Sequence, residues 1–128
     1  MTEQLYRKFV RIFAVVDLFA CIGFATPWSF ALMQSILRMF GPLPAFEPMN
    51  LMFIYLLGTI CVMWGILRIA KPESWLGFTD ALARCVFGFW MIYFLLGFGI
   101  NPLVWLFASL ELVPAAFMII FYFRRHKA

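Results

Sequence analysis

The sequence predicts an all-α fold, an integral membrane bundle of four transmembrane helices with a short interfacial helix after the first. Three observations predict it. Of the 128 residues, 66% are hydrophobic and 12% charged, with a mean hydropathy of +0.97. A soluble domain of this size has too little interior to hide that much apolar surface, whereas a chain that crosses a bilayer exposes it to lipid. Four apolar runs of spanning length follow one another, separated by proline, glycine and charge. The basic residues fall almost wholly on one side of those runs, which is the distribution that sets membrane orientation.

The first helix is expected over residues 6–25, with its apolar span from Ile12. Arg7, Lys8 and Arg11 before an apolar run, and Leu18-Phe19-Ala20-Cys21 within it, have the outline of a lipoprotein signal. Asp17 would lie inside that signal's apolar region and Phe19 is too bulky for its place, so the segment reads as a retained helix. Thr26-Pro27 supplies an N-cap and a first-turn proline, which makes residues 28–40 a separate helix. At ~1.5 Å per residue it is too short to span. Gln34, Ser35 and Arg38 fall to one side of it, with Phe30, Leu32, Met33, Ile36, Leu37 and Phe40 largely elsewhere, so it is expected to lie at the membrane surface. Gly41-Pro42-Leu43-Pro44 stops it, and Pro48 and Asn50 lead into a second span over residues 50–69. There Gly58, Cys61 and Gly65 share a face that another helix can approach closely. Lys71 and Pro72 end that span. A turn through Glu73, Ser74, Trp75 and Gly77 reaches Thr79, read as the N-cap of a third span over residues 80–98. Gly99 breaks it, and Asn101-Pro102 starts the fourth, residues 102–123. The whole chain, 1–128, reads as one domain.

With these spans, Arg7, Lys8, Arg11, Arg68, Lys71, Arg84, Arg124, Arg125 and Lys127 lie on one side and Arg38 alone on the other. The bias places both termini in the cytoplasm of a multi-pass protein. Trp75 and Tyr122 suit that interface, and Trp28 and Trp105 the opposite one. With no eukaryotic sorting sequence evident, a bacterial inner membrane is the expected location. The net charge of +4 is then accounted for by orientation, and nucleic acid is not an expected partner.

Two acids stand inside the apolar runs, Asp17 and Glu111, and a charged group there costs at least ~2.5 kcal/mol unless it finds a partner. A rise of ~1.5 Å per residue through a ~30 Å layer puts Asp17 and Arg84 at comparable depth, so these opposite charges are expected to pair. Glu111 falls deeper, level with Thr59 and Tyr93, so a hydroxyl is expected to donate to it and the carboxyl is read as neutral. Glu111, Tyr93, Thr59, Asp17 and Arg84 are thus the candidates for a ligand or proton site. Either the acids exchange protons or cations with a solute, or they are anchors that hold helices in register. Pro114 either kinks the last helix and opens a cavity or is an ordinary transmembrane proline whose freed carbonyl is satisfied by neighbours. Phe13, Ala14, Asp17 and Leu18 recur as Phe107, Ala108, Glu111 and Leu112. Either the match is coincidence or it marks an inverted repeat, in which case the first and fourth spans are neighbours.

Other chemistry has little to build on. His126, the single histidine, sits in the basic tail, so histidine-ligated haem, zinc or a histidine triad within the bundle is not expected. Cys21, Cys61 and Cys85 stand apart with no C-x-x-C pair and read as packing residues. There is no glycine-rich phosphate loop. No cofactor, metal or catalytic residue is assigned.

An acid in VVDLFACIGFATPW, a short connecting helix, a glycine-containing LMFIYLLGTICVMWGILRI, a third helix opened by DALARCVFGFW and an acid in LELVPAAF together resemble the small four-helix membrane proteins grouped as DoxX-like or BphX-like. That resemblance implies a four-helix bundle. It also implies company with relatives that are membrane subunits beside quinone-linked sulfur oxidation, or that lie in aromatic-degradation gene clusters. Three functions stay open. The first is a non-catalytic accessory subunit or binder of a hydrophobic ligand such as a quinone, working within the lipid bilayer as a homo-oligomer or in a larger membrane complex. The second is a proton-coupled carrier of small solutes using Glu111 and Asp17. The third is a membrane enzyme acting on lipid or quinone, with Glu111 as general base and Tyr93 assisting.

Overall fold

Five helices organise the described residues, 1–125, of the computed structural model, and no strand occurs among them. They are α1 (Glu3–Ile22), α2 (Pro27–Leu37), α3 (Pro48–Ala70), α4 (Ser74–Phe98) and α5 (Val104–Arg124). His126 and Lys127 lie outside the described residues. Helices α3, α4 and α5 are each long and apolar enough to cross a membrane, and α1 with α2 makes a fourth candidate if the pair, bent by 95°, counts as one span.

The boundaries follow local chemistry. Thr26 Oγ1 accepts from the Ser29 amide at 3.2 Å, while Ser29 Oγ accepts from the Thr26 amide at 3.3 Å. That reciprocal capping box, with Pro27 next, starts α2 as its sequence requires. Gly99, at φ 58°, closes α4 in the left-handed conformation that glycine adopts without steric cost. Asn101 Oδ1 accepts from the Leu103 amide at 2.9 Å and turns the chain into α5.

Other boundaries shift by no more than three residues, and the largest difference from expectation is at the start of α4. Helix α4 begins at Ser74, six residues before Asp80, and Thr79 is not its N-cap: the Thr79 hydroxyl donates to the Trp75 carbonyl at 2.9 Å inside the helix. The reason is tertiary. Leu76 and Gly77 are buried, and a Cβ on Gly77 would lie 2.4 Å from Val10 Cγ2 and 3.2 Å from Met118 Cε. The stretch read as a turn is therefore packed in the core, and that packing outweighs its glycine and its polar start.

The chain divides into two compact units, Met1–Arg11 with Pro72–Ala128, and Ile12–Lys71. In the first, Tyr6 and Val10 of α1 are fully buried with Leu76 and Ala81 of α4 and Ala108, Ala115 and Met118 of α5. The Tyr6 hydroxyl donates to the Met118 carbonyl at 3.1 Å, and Phe9 meets Phe117 edge to face at 5.1 Å. A Cβ on Gly88 would approach Leu112 to 2.5 Å, so α4 and α5 lie in contact there. Helix α5 continues through Pro114. In the second unit, a Cβ on Gly58 would come within 2.4 Å of the Phe24 backbone, and Gly65 faces the Ala14 carbonyl and Leu18. The expected close approach on the Gly58 and Gly65 face of α3 is therefore present. Phe30 fills the other end against Phe24, Phe46 and Tyr55.

Candidate functional site

Charged side chains held within these apolar helices are the chemically distinctive feature of the molecule, and ion pairs of this kind occur in each unit. In the second unit, Arg68 in the last turn of α3 donates through Nη2 to Asp17 Oδ2 of α1 at 2.6 Å. The Arg68 side chain is 1% exposed, and its guanidinium carbon stands 5.9 Å from the Trp64 ring one turn earlier. In the first unit, Arg84 of α4 bridges two acids. Its Nε donates to Asp80 Oδ2 at 2.8 Å and its Nη1 to Glu111 Oε2 of α5 at 3.1 Å. Asp80 and Arg84 are buried, and Glu111 is 27% exposed.

A guanidinium carries its charge at any physiological pH and offers a planar fork of five donors. Burying it is costly, and the cost is offset only where carboxylates stand at its donors. Both groups meet that condition with short, charge-assisted hydrogen bonds. The two are also built alike. Leu18, next to Asp17, packs at Gly65, three residues before Arg68. Leu112, next to Glu111, packs at Gly88, four residues after Arg84. In each unit the glycine lets the acid-bearing helix close on the arginine-bearing one, so that a carboxylate reaches the guanidinium. The recurring Phe-Ala-x-x-acid-Leu segment therefore occupies the same kind of place twice.

No family model, curated protein or solved structure matches the chain. The site must be read from its own geometry.

That geometry corrects the expected company of Glu111. Glu111 Oε2 accepts from Arg84, and neither the Thr59 nor the Tyr93 hydroxyl reaches it. Thr59 and Tyr93 are exposed, and neither side chain makes a hydrogen bond among the described residues. Tyr93 instead packs its ring against Trp90, Phe94 and Phe98. The error is one of direction around the helix. Tyr93 lies nine positions after Arg84, which at ~100° per residue places it about 180° away, on the opposite face of α4. Arg84 holds Asp80 and Glu111, and Asp17 accepts from the guanidinium of Arg68.

Two members escaped the sequence reading. Asp80 reads from sequence as the start of a helix, although its four-residue spacing to Arg84 is the usual signal of an intrahelical pair. Arg68 reads only as one of the basic residues that set orientation.

A third group ties together helix ends in the first unit. Glu3 Oε1 accepts from the Ser74 hydroxyl and, at 3.3 Å, from Arg7 Nε, while Glu3 Oε2 accepts from Arg125 Nε at 2.8 Å. Arg125 also donates to the Tyr122 carbonyl and lies 3.4 Å over the Tyr122 ring. The Ser74 hydroxyl, followed by Arg7 and Arg125, holds the Glu3 carboxyl below the usual glutamate range despite opposition from partial burial. No local pattern announces this contact, because Glu3 and Arg125 are 122 residues apart.

Proposed function

We propose that this chain is a non-catalytic multi-pass membrane protein, an accessory subunit or a binder of a hydrophobic ligand, whose buried charges fix helix register. The observation that carries the reading is that the acids within the apolar helices, Asp17 and Glu111, are each held by a buried arginine of a neighbouring helix. A carboxylate so held takes up a proton only by giving up its charge-assisted hydrogen bond to the guanidinium, which disfavours it as a proton carrier. The same geometry disfavours a general base at Glu111 assisted by Tyr93, which points the other way. Many large apolar side chains stand exposed along α3, α4 and α5, a surface suited to lipid, to a hydrophobic ligand or to other membrane subunits.

The proposal includes crossing of a bacterial inner membrane with both termini cytoplasmic, as the distribution of lysine and arginine favours. It also includes the kinship with DoxX-like proteins implied by the pattern of acids and helices. The test is reconstitution into proteoliposomes carrying a pH-sensitive dye, under an imposed proton gradient and with a panel of small cations. The parent chain and Glu111→Gln are expected to show the same background flux. Solute-driven proton movement in the parent that disappears in a folded Glu111→Gln variant would establish the carrier function instead.

A further inference from the structure

Helix α1 opens with three cations, Arg7, Lys8 and Arg11, all exposed because Tyr6 and Val10 take the buried face. Their spacings of three and four residues put them on one side of the helix within about one turn, where like charges repel. Glu3, four residues earlier, answers Arg7. Around Lys8 the positions three and four away are Leu5, Gln4, Arg11 and Ile12, and around Arg11 they are Lys8, Arg7, Ala14 and Val15, none of them acidic. The sequence then turns apolar, Ile12 to Val16.

The surroundings in the same unit add to this charge. Glu3 binds Ser74 at the start of α4 and Arg125 just past the end of α5, so these helix ends are tied together beside the α1 cations. Arg124 is exposed at the end of α5, and Trp75 and Phe123 offer exposed apolar surface at the same helix ends. The end thus carries Arg7, Lys8, Arg11, Arg124 and Arg125 against Glu3 and Glu73. Two of its cations, Lys8 and Arg11, have no ion-pair partner among the described residues.

We infer that Lys8 and Arg11, flanked by Arg7, form a binding site for the headgroup of an anionic phospholipid. The occupant follows from complementarity: a phosphate supplies the missing negative charge, and hydrocarbon belongs beside the exposed Trp75 and Phe123 of the same unit. The inference rests on the membrane reading above. It goes beyond that reading by naming a lipid class and the side chains that select it.

Native mass spectrometry of the full chain, purified in a mild non-ionic detergent and titrated with phosphatidylglycerol or phosphatidylcholine, tests it. In detergent the variants cannot confuse lipid binding with altered insertion. The parent is expected to retain phosphatidylglycerol in preference to phosphatidylcholine, and Lys8→Gln with Arg11→Gln is expected to lower retention of phosphatidylglycerol by on the order of ten- to thirty-fold at an unchanged melting temperature. Lys71→Gln, a control cation of the other unit, should leave it unchanged. Equal retention of the two lipids by the parent, undiminished retention by the double variant, or full displacement by millimolar inorganic phosphate would overturn the site. A chain that partitions into bilayers yet shows no headgroup preference would lose this inference alone, whereas one that stays soluble without detergent would lose the membrane reading as well.

Discussion

Replacing Arg84 with methionine keeps much of the side chain's length and apolar stem while removing the guanidinium that Asp80 and Glu111 share. Asp80 is slightly more buried than Arg84, at 6% against 8% side-chain exposure, and Glu111 is 27% exposed. Breaking a buried pair of this kind costs about 3–5 kcal/mol, because the carboxylates lose their counter-charge in a poorly solvated place. The partial exposure of Glu111 favours the lower end of that range. A loss near 3 kcal/mol corresponds to a fall of roughly 10 °C in melting temperature for a chain of this size. Removing the carboxylate charges too, in Asp80→Asn with Arg84→Met and Glu111→Gln, should recover part of the loss, since these two carboxylates no longer lack the counter-charge they shared. Thermal unfolding in detergent, followed by tryptophan fluorescence, measures all three proteins. A single variant that melts within about 2 °C of the parent, or a triple variant no more stable than the single, would refute the ion-pair account.

Other expectations follow from the same contacts. Asp17→Asn should destabilise the second unit by about 2–4 kcal/mol, more than Asp17→Asn in an Arg68→Met background, and a double-mutant cycle gives the difference. The Glu3 carboxyl titrates below the usual glutamate range, so its contribution to stability is fully present above that range and is lost as pH falls through its lowered folded value. Protection factors at residues 3–8 and 122–125, which allow for the intrinsic slowing of exchange in acid, should fall on acidification, and Glu3→Gln should remove that acid dependence. Gly58→Ala should cost more than Gly88→Ala, because a Cβ at Gly58 strikes Phe24 backbone whereas at Gly88 it strikes the movable end of Leu112. Gly97→Ala, with nothing within 4 Å of the added carbon, should stabilise α4 by about 0.4–1 kcal/mol in the same melting assay.

Composition and punctuation made the helices legible, since Thr26-Pro27, Pro48, Pro72 and Gly99 act locally and their effects need no partner. The start of α4 was not legible, because what holds residues 74–79 in a helix is the fit of Gly77 against Val10 and Met118, which only the assembled unit displays. The site divides in the same way. Rise per residue set Glu111 deeper than Arg84, level with Thr59 and Tyr93, but depth carries no information on which way a side chain points around its helix. That missing angle turned Glu111 toward Tyr93 in the sequence reading and toward Arg84 in the structure. The small residues on α3 and α4 carried the lost signal: Gly65 and Gly88 each sit within four residues of the arginine on its helix, marking where the acid-bearing helix closes in. Glu3 with Ser74 and Arg125 lay beyond any such reading, since each residue is unremarkable in its own segment.

The central claim is that Glu111 is a carboxylate fixed on Arg84 and not a neutral acid waiting for a proton. Infrared difference spectra between the parent chain and Glu111→Gln at neutral pH, in bilayers, test it most directly. The account expects the difference to contain the stretching bands of an ionised carboxylate and none of a protonated carboxyl. A protonated-carboxyl band that vanishes in Glu111→Gln would contradict it.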